Sequence, residues 1–172
     1  MKLIALLPLA AALAAGFLAL TPRVSGHADE NASTNKIKIP AGYRAWKLIS
    51  VAHEAGNLND IRAILGNNVA INAYREEKLP FPEGTVIARL AWRYVPSEEN
   101  NKAFGREQSF VAGSPTNVQF MIKDSKRYSA TGGWGFAQFT NGEPLNEAEL
   151  KACFSCHEPA KARDFIFTHY AP

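Results

Sequence analysis

"TVIARLAWRYV", residues 85–95, decides the fold. Val86, Ala88, Leu90, Trp92 and Tyr94 fall on one side of it, and Ile87, Arg89, Ala91 and Arg93 on the other. A period of two, rich in β-branched and aromatic residues, is a strand with two distinct faces. Upstream, Pro80 and Pro82 stop a helix that Asn68 is expected to cap and that runs through Lys78. Ile61 to Leu65 reads as a further strand, and Tyr43 to Ser50 as a helical turn entering another. Downstream, "SEENNKAFGREQ" reads as a charged loop. "NVQFMIKDSKRYS" alternates again, with Val118, Phe120 and Ile122 opposite Gln119, Met121 and Lys123. "TGG" is a turn, "WGFAQF" a strand and "TNGEP" a second turn before a last helix. There is no internal repeat. The order predicts an α+β fold, an antiparallel β-sheet with a few helices packed on it.

The chain has 172 residues, of which 47% are apolar, which suits one domain with a real core. Its formal charge is +3, but Lys2 and Arg23 belong to the amino-terminal segment, leaving 17 basic against 16 acidic residues. So balanced a body has no electrostatic basis for binding nucleic acid. The first stretch reads as an export signal: Lys2, an apolar run over 3–20, then "TPRVSGHA" with Gly26 and Ala28 placed for cleavage before Asp29. Pro8 and Gly16 interrupt the run, which favours cleavage over a membrane anchor. The expected division is a signal peptide over 1–28, a flexible arm over 29–40 and one domain over 41–172. Nothing after the signal is apolar enough to span a bilayer, and the expected destination is the periplasm.

The only two cysteines stand in Cys153-Phe154-Ser155-Cys156-His157. This is the C-x-x-C-H pattern of c-type haem attachment. Helical residues at i, i+3 and i+4 share a face, so two thiols can add to the vinyl groups of one porphyrin while the histidine becomes the proximal iron ligand. Asn146 and Glu149 have the spacing of a capping box, Leu150, Cys153, Phe154 and His157 form one stripe, and Pro159 follows. A disulfide, a thioredoxin-like pair and half a zinc site are the alternatives. The redox pair wants a βαβ context and zinc wants more ligands.

"YRAW", "DIRAIL", "FPEGTVIAR", "IKDSKRYS", "WGFAQF", "CFSCH" and "RDFIFT", in this order and with the attachment site last, resemble the cytochrome P-460 family, which includes cytochrome c′-β. The resemblance covers about Tyr43 to Thr168. It implies one covalent haem c, an open distal side, commonly a homodimer, and chemistry on small nitrogen compounds. Cytochrome P-460 proper oxidises hydroxylamine, whereas cytochrome c′-β binds nitric oxide without being an oxidase. In the former a lysine on the "GTV" strand crosslinks to the haem. Here Arg89 stands where that lysine is expected, and arginine stays protonated and does not serve as that nucleophile. The crosslink is therefore expected to be absent. Lys123 is the substitute if the alignment is shifted.

Arg89 is a candidate for the distal pocket or a haem propionate, or else a solvated strand residue, and Arg62 is a second candidate of the same kind. Met121, the only methionine after the signal, could be a sixth ligand in an electron-transfer cytochrome, but a strand methionine is more often a packing residue. His53 is expected to be exposed and His169 to lie near a frayed end. The resemblance to cytochrome c′-β implies an apolar cap on the distal side, for which Leu58 and Phe81 are the candidates. The implied partners are a small nitrogen-containing ligand and a periplasmic electron-transfer protein.

Overall fold

The computed structural model describes residues 36–172. The signal segment and most of the arm lie outside the described residues. Six antiparallel strands follow one another across a single sheet in chain order: β1 (Lys47–Glu54), β2 (Asp60–Gly66), β3 (Val86–Pro96), β4 (Phe110–Lys123), β5 (Trp134–Thr140) and β6 (Glu143–Pro144). Helix α1 (Asn68–Arg75) joins β2 to β3, α2 (Glu98–Phe104) joins β3 to β4, and α3 (Glu147–His157) follows β6. The fold is α+β, with the cysteine-bearing helix at the carboxyl end.

The alternation in β3 sorts two cores onto the two faces. Leu65, Ala88, Leu90, Phe120, Ala137 and Phe139 bury one face under Ile37, Tyr43 and Trp46. Ile64, Ile87 and Trp134 bury part of the other against Ala70, Ile71 and Ala73 of α1 and against Phe165 and Ile166. Ile37 thus packs on the sheet, so the last residues of the expected arm are part of the domain.

Three elements differ from expectation. α1 is capped by Asn67, not Asn68: the Asn67 carboxamide accepts from the Ala70 N–H at 2.9 Å and the Val86 N–H at 3.2 Å. The helix ends at Arg75, before the prolines. Glu77 takes the left-handed conformation (φ 50°), and the Glu77 and Lys78 amides return to the carbonyls of Tyr74 and Ala73, a Schellman ending. "SEENNKAFGREQ" holds α2 rather than a loop. Ser97 caps its start and left-handed Gly105 its end, but the helix buries no residue and so shows no apolar stripe. β4 begins seven residues earlier than Asn117, because register shifts around Trp92 break the alternation there.

Candidate functional site

α3 starts as its sequence dictates. The Asn146 side chain accepts from the Glu149 N–H at 3.0 Å, and the Glu149 carboxylate accepts from the Asn146 N–H at 3.2 Å. Leu150, Cys153, Phe154 and His157 are half-buried, while Ser155 and Cys156 are exposed. The stripe packs on β5: the Phe136 ring lies 6.4 Å from that of Phe154 and 5.2 Å from that of His157. Both cysteines are free thiols, and burial, then the neighbouring Cys156, push the Cys153 pKa up. Among the described residues no three His, Cys, Asp or Glu side chains stand close enough together to hold a metal ion, as a zinc site would need.

His157 is held on three sides. Its ring sits 5.2 Å from both Phe136 and Phe167, and Nδ1 lies 2.7 Å from the Phe165 carbonyl oxygen. A carbonyl only accepts, so Nδ1 carries the proton and Nε2 keeps its lone pair. Burial lowers the imidazole pKa, against the Phe165 hydrogen bond, which favours the charged ring. The ring is thus neutral at pH 7, with one nitrogen ready for a metal. This is the second-sphere pattern of a ligating histidine, and with two free thiols on the same helix the residues fit a haem.

The carbonyl that fixes His157 comes from an unusual backbone. Asp164 (φ 51°) and Phe165 (φ 66°) are consecutive non-glycine residues in the left-handed region. The Lys123 ammonium donates to the Asp164 carboxylate at 2.8 and 3.0 Å, and the Phe81 N–H donates to it at 2.9 Å. Lys123 also donates to the Gly132 carbonyl at 3.2 Å. A Cβ on Gly132 would lie 2.2 Å from the Phe165 ring, so glycine is required there. Nothing local in the sequence announces this pair, since 41 residues separate its members.

Arg89 and Arg62 are brought together by a residue the sequence reading passed over. Asp60, 3% exposed, accepts from Arg62 Nε at 2.8 Å and Nη2 at 2.6 Å, and its other oxygen accepts from Arg89 Nη2 at 2.5 Å. Arg89 Nη1 donates to Asn117 at 2.9 Å, and Arg62 Nη1 to the exposed Glu54 at 2.9 Å. Burial and then the adjacent Arg62 lower the Arg89 pKa, and Asp60 opposes both. In register, Arg89 faces Gln119, which pairs with Gln138, two residues from Phe136. The arginines therefore lie on the sheet face that carries Phe136, and Arg89, with its side chain 15% exposed, is no solvated strand residue.

Met121 packs against the core around Trp134. His53 is exposed and stacks on Tyr94 at 3.9 Å. His169 is exposed, but the chain end is not frayed: the Ala171 N–H donates to the Ile49 carbonyl at 2.8 Å. Leu58 is 54% exposed in the turn after β1, and Phe81 is buried between Tyr74 and Trp134. A cavity of about 500 Å³ lies between α1 and the last residues, lined by Tyr74, Arg163 and Tyr170 among others, and contains neither cysteine nor His157.

An antiparallel sheet bearing a terminal helix with two thiols and an oriented imidazole suits a haem-binding cytochrome. The family model described as Cytochrome P460 matches residues 40–168, and the chain belongs to that family. No curated protein matches the chain. No helix among the described residues is long and apolar enough to cross a membrane.

Proposed function

We propose that this protein is an exported, periplasmic c-type cytochrome with one haem, joined by thioethers to Cys153 and Cys156 and ligated by His157. Its distal side is open and takes nitric oxide or hydroxylamine. The observation that carries this is the Nδ1 contact of His157 with the Phe165 carbonyl, beside two free cysteines. The haem, when bound, supplies a redox-active iron able to bind small ligands. The protein's own residues hold the imidazole neutral and oriented, wall it with Phe136 and Phe167, and place the Arg89–Asp60–Arg62 group on the same sheet face.

The haem–lysine crosslink of cytochrome P-460 proper is absent in this proposal. Arg89 occupies the lysine's place and is bound by Asp60 and Asn117. Lys123, the other candidate, spends its ammonium on Asp164. The packing of Met121 against the core speaks against a six-coordinate carrier. A homodimer and a periplasmic electron-transfer partner complete the proposal.

The test is the optical spectrum of the matured protein, ferric and ferrous, before and after nitric oxide. An ordinary high-spin c-type spectrum that shifts with nitric oxide is expected. A strongly red-shifted ferrous Soret band would mean a crosslinked haem and make hydroxylamine oxidation the leading function. In Arg89→Lys, that red shift is expected to appear. A spectrum unchanged there would remove Arg89 from the crosslink position.

A further inference from the structure

We propose that Lys123 and Asp164 are positioning residues for the iron ligand. Their buried ion pair holds the strained turn whose carbonyl fixes the tautomer and orientation of His157. The inference rests on His157 being the proximal ligand.

Two consecutive left-handed residues, neither of them glycine, cost free energy that surrounding contacts must supply. The first is Asp164, a residue type that tolerates this region, and the second is Phe165, which does not. Each strained residue is held in its own way. The Asp164 carboxylate takes both Lys123 contacts and the Phe81 N–H, so three hydrogen bonds from two donor groups converge on it. The Phe165 ring is clamped at Gly132, whose carbonyl also accepts from Lys123. Lys123 therefore touches both supports. Its side chain is 6% exposed, that of Asp164 9%, and the ammonium lies 5.0 Å from the Trp134 ring centre. A buried charge of this kind is costly without its partner.

The product of this arrangement is one atom, the Phe165 carbonyl oxygen, 2.7 Å from His157 Nδ1. A hydrogen-bond acceptor on the far nitrogen of a ligating imidazole sets its tautomer, fixes its rotation and raises its basicity toward the metal. The strand end thus reaches the iron ligand through four links: Lys123, Asp164, the Phe165 carbonyl and Nδ1.

The experiment compares the matured protein with Lys123→Met, Lys123→Arg, Asp164→Ala and Asp164→Asn. The readouts are the ferrous iron–histidine stretching band by resonance Raman, the reduction potential, and the His157 ring nitrogens by ¹⁵N NMR in the haem-free chain. Lys123→Met and Asp164→Ala are expected to lower the stretching frequency, raise the potential and mix the two tautomers. Lys123→Arg keeps the charge and Asp164→Asn keeps the left-handed tolerance, so both are expected to fall between these and the parent. Leu90→Ala, a core change in the separate cluster on the opposite face of the sheet, serves as the control for general loosening. Variants that lose stability yet keep the parental band, potential and tautomer would overturn the inference, leaving a merely structural ion pair. A band that shifts equally in the Leu90→Ala control would overturn it as well. If the parent protein shows no iron–histidine band, the ligand assignment itself fails, which is a separate outcome. Should Lys123→Met fail to mature, Lys123→Arg and Asp164→Asn in the matured protein decide: a parental band and potential in both would overturn the inference.

Discussion

Asp60→Asn is the substitution that most directly tests how the arginine pair is held. Asp60 is 3% exposed and bridges two guanidinium groups whose side chains are 13% and 15% exposed. In the wild type this trio carries a net charge of +1. Asparagine leaves two buried cations facing each other with no carboxylate between them. Removing one partner of a buried pair costs about 3–5 kcal/mol. Arg62 keeps Glu54, which is 53% exposed and can follow it, so the lower end applies, about 3 kcal/mol. For a domain of this size each kcal/mol moves the melting temperature by about 2–4 °C, so a drop of roughly 6–12 °C is expected. Thermal and urea denaturation of the matured protein followed by circular dichroism would measure it. The double variant Asp60→Asn with Arg89→Met removes one stranded cation and is expected to recover at least about 1 kcal/mol relative to additivity. A loss under about 1 kcal/mol for Asp60→Asn, or strict additivity in the cycle, would refute the view that the trio is buried and mutually dependent.

Three further outcomes are expected. Cys153→Ala with Cys156→Ala should abolish haem staining on a denaturing gel, and residual stain would refute thioether attachment at this pair. Gly132→Ala places a Cβ 2.2 Å from the Phe165 ring at a φ of +66° and should cost about 2–4 kcal/mol in urea denaturation, whereas a cost within experimental error would mean that the turn is not clamped there. Burial raises the Tyr74 pKa well above its usual value, against the pull of Arg163. A raised acid pKa gives stability that is fully present below the unfolded value near pH 10 and is lost as the pH rises beyond it, at up to about 1.4 kcal/mol per pH unit. Tyr74→Phe should flatten that alkaline slope, and an unchanged slope would assign it to other groups.

Local signals were legible where they are complete within a few residues. The capping box at Asn146, the two-residue period of β3, the strand β5 and the α3 stripe all appear as read. α2 carried legible caps in Ser97 and Gly105 but was masked by its charge, since a helix that buries nothing has no apolar period to detect. The cap of α1 was misplaced by one residue because Asn67 and Asn68 are chemically identical, and only the Val86 and Ala70 amides select between them. The first half of β4 was lost where Gly113 to Pro115 and the bulges interrupt its alternation.

From its own order of residues, this chain determines an antiparallel sheet, a capped terminal helix and a Cys-x-x-Cys-His run along it, because period, caps and motif are properties of neighbours in sequence. The assembly around His157 belongs to the tertiary structure. Asp60 meets Arg89 across 29 positions, and Lys123 meets Asp164 across 41. No local preference predicts either contact. A carboxylate reads the same whether solvated or enclosed, and only the folded sheet removes water from it and makes its partners obligatory.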